Sequence, residues 1–151
     1  MSIRRAFVTG AAVWAAAIPA AAAASSLAAP SSLVYLFAGF VFAIGAIVCH
    51  QIPDRSFHVW GRQLPVCARC TGIYVATALA AIGLMWTRGP GRSSSSSRAW
   101  RLEAGAAALV LNGLTLAYEW MTGEPASNVV RAAAGATLGA VVAALIVYDV
   151  D

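Results

Sequence analysis

Leu33-Val-Tyr-Leu-Phe-Ala-Gly-Phe-Val-Phe-Ala-Ile-Gly-Ala-Ile-Val48 contains no charge and no proline. It approaches the ~20 apolar residues that a helix needs to cross a bilayer's hydrocarbon core, and helices buried in soluble proteins are rarely so uniformly apolar. The surrounding chain agrees: of 151 residues, 60% are hydrophobic and 11% charged, with a mean hydropathy of +0.75. Soluble domains are nearer 45–50% apolar.

Outward from this run, the same texture recurs at Thr71–Trp86, at Leu102–Met121 and at Val129–Tyr148. Before it lies Ala6–Ala24, alanine-rich and interrupted by Pro19. The Arg4-Arg5 head and the small residues near Ala20–Ser25 give that segment a signal-like look, but its length also suits a first helix, and we favour an uncleaved helix. The expected fold is therefore all-α: one membrane domain over residues 1–151, a polytopic bundle of four to five transmembrane helices in the plasma (inner) membrane. Thr87–Arg101, with Arg-Gly-Pro-Gly-Arg and five serines, reads as a flexible linker, and Thr122–Asn128 as a short turn.

All ten basic residues are arginine. They flank apolar runs and form no basic face interleaved with aromatics, which speaks against a nucleic-acid partner and for the lipid bilayer. With five spans and the N-terminus inside, Arg4, Arg5, Arg55, Arg62 and Arg69 oppose Arg88, Arg92, Arg98 and Arg101, which is no bias. If the first segment does not cross, the positive-inside rule is better satisfied and Cys49–Cys70 faces outward. In either case two crossings separate Cys49–Cys70 from Thr122–Asn128, so both lie on one face.

The stretch Cys49–Cys70 holds all three cysteines and both histidines of the chain. Pro53 and Pro65 bracket it and forbid one continuous helix; an ordered loop with a short helix around Asp54–Trp60 is expected. Cys67-Ala-Arg-Cys70 places two sulfurs on one side of a turn at a helix start, where thiolate is favoured. Cys49 can add a third if its helix and the next are neighbours, and His50 or His58 can complete a Cys3His set of the kind zinc accepts, with other transition metals open. Asp54, four residues before His58, could orient its imidazole.

Arg55, Arg62 and Arg69 suit phosphate headgroups or an anionic substrate. The same residues allow a second reading, a thiol–disulfide oxidoreductase built on Cys67 and Cys70.

Glu119 is an ionisable residue inside a membrane helix and so a functional candidate by default. Asn112, Thr115 and Glu119 form one polar stripe, Arg131 can pair with Glu119 across the turn, and Asn128 shares that face. Glu119 or Asp54 could serve as catalytic base beside a metal; alternatively, Glu119 and Arg131 could serve a small transporter or binding subunit. Gly135 and Gly139 make a small-xxx-small pair, suited to packing within one subunit and otherwise to a homo-oligomer.

Cys-His-Gln-x-Pro-x-Arg-Ser-Phe from Cys49, followed by Gly-x-x-Leu-Pro-Val-Cys-Ala-Arg-Cys-Thr-Gly-Ile-Tyr ending at Tyr74, resembles the motif of small prokaryotic membrane proteins grouped as domain of unknown function family 2085. Ser127-Asn128-x-x-Arg131 with Gly135 is similar to that family's closing helix, so the likeness runs from about Leu33 to the end. The resemblance implies a polytopic helical membrane protein and no particular activity. Asn112-Gly113 stands where the family is expected to carry Asp-Gly, so a negative charge needed there would have to come from Glu119.

Overall fold

The computed structural model describes residues 2–29, 31–87 and 98–149. Five helices account for most of them: α1 (Ile3–Ser26), α2 (Ser32–Val48), α3 (Ala68–Thr87), α4 (Arg98–Thr122) and α5 (Asn128–Asp149). Each covers an apolar run read from the sequence, and all but α2 extend clearly past it, because polar residues at the ends continue the helix and cap it. Ser2 accepts the Arg5 amide at 3.4 Å at the start of α1. Gly123, at φ +71°, closes α4 and donates its amide to the Glu119 carbonyl at 3.1 Å, the left-handed cap that glycine adopts without a Cβ penalty. Most of the segment expected to be a flexible linker, 88–97, lies outside the described residues.

The helices neighbour one another in the order α2, α1, α3, α5, α4, with α3 against α5 the most extensive contact. Small residues explain that closeness. A side chain on Gly72 would collide with the Ala132 carbonyl, one on Gly135 with the Arg69 carbonyl, and one on Gly139 with the Ile73 carbonyl. The Thr77 hydroxyl donates to the Gly139 carbonyl at 3.1 Å across the same seam. Gly135 and Gly139 are thus engaged against α3 within one chain.

Two apolar clusters hold the bundle. Val8, Ala81, Ala143 and Val147 pack together at one end; Ile18, Ala22, Leu64 and Val66 pack at the other. Elsewhere the outer surface is apolar, with Phe40, Ile47, Leu79, Leu109, Trp120 and Val129 all exposed. Water would penalise such a surface, whereas acyl chains do not. Among the described residues three helices, Ile3–Ser26, Ala68–Thr87 and Asn128–Tyr148, are long and apolar enough to cross a membrane; α2 is apolar but shorter.

The connection between α2 and α3 departs from expectation. Only Pro53–Arg55 is helical, a single 3-10 turn, and the chain then forms a hairpin of β1 (His58–Val59) and β2 (Arg62–Gln63), pairing His58 with Gln63 and Val59 with Arg62. Trp60 and Gly61 at its tip have φ of +52° and +70°, as a two-residue type I′ turn requires. The short helix expected at Asp54–Trp60 is therefore absent. Asp54 and His58 do not stack at helical spacing, because the backbone is extended from Ser56 onward.

Candidate functional site

Cys49 ends α2 in an extended conformation, and the chain reverses at once through Gln51, whose φ is +49°. A non-glycine residue adopts this region at a cost unless its surroundings hold it there. Here the Gln51 amide donates to the Phe42 carbonyl at 2.9 Å and to the Pro65 carbonyl at 2.7 Å. The Gln63 amide returns the favour to the Gln51 carbonyl at 2.6 Å, and Pro65 seats against Gly45, where any side chain would collide. Ser56, buried, donates to the Ile52 carbonyl at 2.9 Å. These bonds fold the loop back so that Cys67 arrives beside Cys49. The principal helical neighbour of α2 is α1, so the loop, and not packing of α2 on α3, unites the sulfurs.

The Cys67 amide donates to Cys49 Sγ at 3.2 Å. Cys70 follows in the first turn of α3, and the sulfurs of Cys49, Cys67 and Cys70 all lie within 4.8 Å of one another, free of any disulfide. Behind them Ile18, Ala22, Leu64 and Val66 form an apolar wall that includes Trp14 and Tyr74, whose rings meet edge to face at 5.9 Å. No histidine or carboxylate among the described residues joins the sulfur set. His50, exposed, lines the cavity in front of the cysteines. His58 is exposed on β1, and Asp54 is exposed on the 3-10 turn outside that cavity.

Hydrogen bonding with the Cys70 thiol is the largest influence on Cys67 and lowers its pKa to about 5, against the opposing effect of burial. In reduced, chelator-treated protein, iodoacetamide is expected to alkylate Cys67 at a nearly constant rate between about pH 6 and 8. An ordinary thiol, with a pKa near 8.5, gains roughly tenfold per pH unit there. Mass spectrometry of the labelled peptide reads the difference, and a rate climbing tenfold per unit would contradict it.

The cavity measures about 410 Å³, and its lining includes Cys49, His50 and Cys67 together with Arg55, Arg69, Glu119 and Arg131. The Glu119 carboxylate lies 2.7 Å from Arg131, 3.7 Å from Arg69 and 3.9 Å from Arg55. The polar stripe of α4 thus points at its neighbours. Asn112 donates to the Ala134 carbonyl of α5 at 2.8 Å, and Thr115 accepts from Arg69 at 2.9 Å. Asn128, at the start of α5, donates to the Ser56 carbonyl at 3.1 Å and ties that helix to the loop.

Sequence reasoning brought Glu119, Asn128 and Arg131 to the cysteine face but missed Gln51, Gln63 and Ser56. Their side chains act on backbone carbonyls distant in sequence, which no local spacing reveals. The one available signal was polar residues crowded into a loop of an otherwise apolar chain.

Two relatives resemble short parts of the chain. An uncharacterized protein of Methanocaldococcus jannaschii is 43% identical over 42 residues, covering 28% of this chain and 27% of that protein. An uncharacterized protein of Methanothermobacter thermautotrophicus is 54% identical over 28 residues, covering 18% of this chain and 25% of that one. The chain therefore spans about a quarter of the length of each of these relatives. No solved structure matches it. A family model described as "Predicted membrane protein (DUF2085)" matches residues 49–145, from the first cysteine through the loop, α3 and α4 and into α5. With more than half of its residues in that match, the chain belongs to this family of membrane proteins.

Proposed function

We propose that the chain is a multi-pass protein of the plasma (inner) membrane in which Cys49, Cys67 and Cys70 hold a zinc ion at the wall of a cavity. The observation that carries this reading is the convergence of three unpaired sulfurs within 4.8 Å. Tetrahedral zinc with Zn–S bonds of about 2.3 Å sets its sulfurs roughly 3.8 Å apart, so small rotations of the three side chains suffice. The Cys67 amide at 3.2 Å from Cys49 Sγ supplies the N–H···S bond that steadies a thiolate ligand.

His50, which lines the same cavity, or a ligand oxygen would complete a four-ligand set. His58 belongs to the hairpin and not to the ligand set in this reading. A zinc ion with an open position polarises an oxygen bound to it. Glu119, held 2.7 Å from Arg131, serves to order the arginines and not as a free base, and Asp54 lies outside the cavity lining.

Metal analysis of detergent-purified protein tests the proposal. About one zinc per chain is expected, falling at least tenfold in Cys67→Ser/Cys70→Ser and unchanged in His58→Ala. Metal-free protein with its thiols intact would sink it. A reversible Cys67–Cys70 disulfide in metal-free protein would turn the reading towards thiol–disulfide exchange.

A further inference from the structure

The lining of the cavity carries more positive charge than the described residues balance. One carboxylate, Glu119, faces the guanidinium groups of Arg131, Arg69 and Arg55 at 2.7, 3.7 and 3.9 Å, an excess of two formal charges. Three thiolates on a divalent ion would remove one of these, so the cavity stays positive with or without a metal. Glu119 sits nearest the buried Arg131, which leaves Arg69 and Arg55, 20% and 45% exposed, without a close carboxylate of their own, and cations short of counter-charge favour an anionic ligand.

Hydrogen bonding is incomplete in the same place. Nε of Arg131 and Nε of Arg69 are buried without a partner, and both residues line the cavity. Guanidinium edges engage phosphate oxygens two at a time. Because the three arginines come from three elements, the 3-10 turn, α3 and α5, their donors are not confined to one plane. A tetrahedral oxyanion uses such an array better than a flat carboxylate does.

Glu119 Oε1 is likewise buried and accepts no hydrogen bond. Val48, Ile52 and Leu116, all exposed, supply the apolar part of the cavity lining.

We propose that this cavity binds a phosphate ester, with the phosphate on Arg55, Arg69 and Arg131 and the rest of the molecule along Val48, Ile52 and Leu116. A phospholipid headgroup and a soluble phosphate compound share this chemistry. The inference does not depend on the cysteines holding zinc.

Isothermal titration of the full chain in dodecyl maltoside, with inorganic phosphate and separately with dioctanoyl phosphatidylglycerol, tests it. Saturable binding of at least one probe is expected. Arg69→Lys, which keeps the charge but loses the fork and Nε, should weaken it at least tenfold. Arg55→Gln, a side chain 45% exposed and so tolerant of change, should weaken it about threefold. Arg4→Gln, in the first turn of α1 and outside the cavity lining, should match the unaltered protein.

Saturation by the lipid alone assigns a headgroup; saturation by both assigns the phosphate itself. Neither probe saturating, acetate competing as well as phosphate, or wild-type affinity in both cavity variants would overturn the proposal. Zinc measured on the same samples keeps the two readings apart, since metal can be lost while phosphate binding persists.

Discussion

Glu119→Gln is expected to destabilise the folded protein by about 3–5 kcal/mol, the usual effect of removing one partner from a buried ion pair. Arg131→Gln should cost less, although both changes break the same 2.7 Å contact. Losing Arg131 leaves Glu119 with Arg69 and Arg55 already at 3.7 and 3.9 Å, near enough to move in. Losing the Glu119 charge leaves three cations around a neutral amide, with the Arg131 side chain buried at 4% exposure.

The double change Glu119→Gln/Arg131→Gln should recover part of the loss, because fewer like charges then share the cavity. Reversible unfolding in mixed detergent micelles, followed by circular dichroism, gives the ranking. Arg131→Gln proving the costlier single change would mean that Glu119 does not hold the arginines together.

Gly135→Val is expected to be nearly as damaging, for a reason that involves no charge. The new side chain meets the Arg69 carbonyl, a backbone atom that cannot rotate away. Overpacking typically costs about 1–3 kcal/mol, and here relief requires α3 and α5 to separate at the turn that carries both Arg69 and Cys70. Gly113→Val is the control, since nothing lies within 4 Å of a side chain added there. Thermal unfolding should fall by several degrees for Gly135→Val, with loss of zinc in the same sample, and stay close to the parent for Gly113→Val. Equal melting of the two variants would argue against the close α3–α5 crossing.

The sequence made the helices legible because lipid leaves few alternatives: a run such as Leu33–Val48 can satisfy its backbone in a bilayer only as a helix. That the start of α5 meets the loop, as Asn128 does at the Ser56 carbonyl, was legible too, since two successive helices joined by a short turn return the chain to the end from which it left. The hairpin was not. Its strands are two residues each, too short to show alternation, and its turn depends on a left-handed Trp60 that composition does not announce. The gathering of three arginines on Glu119 was also hidden. A single pairing with Arg131 follows from a short turn, but Arg55 reaches the same carboxylate from the loop that Gln51 and Gln63 fold back, and Arg69 from α3 where it crosses α5 at Gly135.

The family match starts at Cys49, yet the back of the sulfur cluster is built by a helix that precedes it. Trp14, Ile18 and Ala22 of α1 close the apolar side on which Cys49 and Cys70 rest, with Ile18 only 1% exposed. The matched region and the working unit therefore differ in extent. A fragment beginning at residue 49 would keep Leu64, Val66 and Tyr74 but lose Trp14, Ile18 and Ala22, and with them half of the floor beneath its thiols.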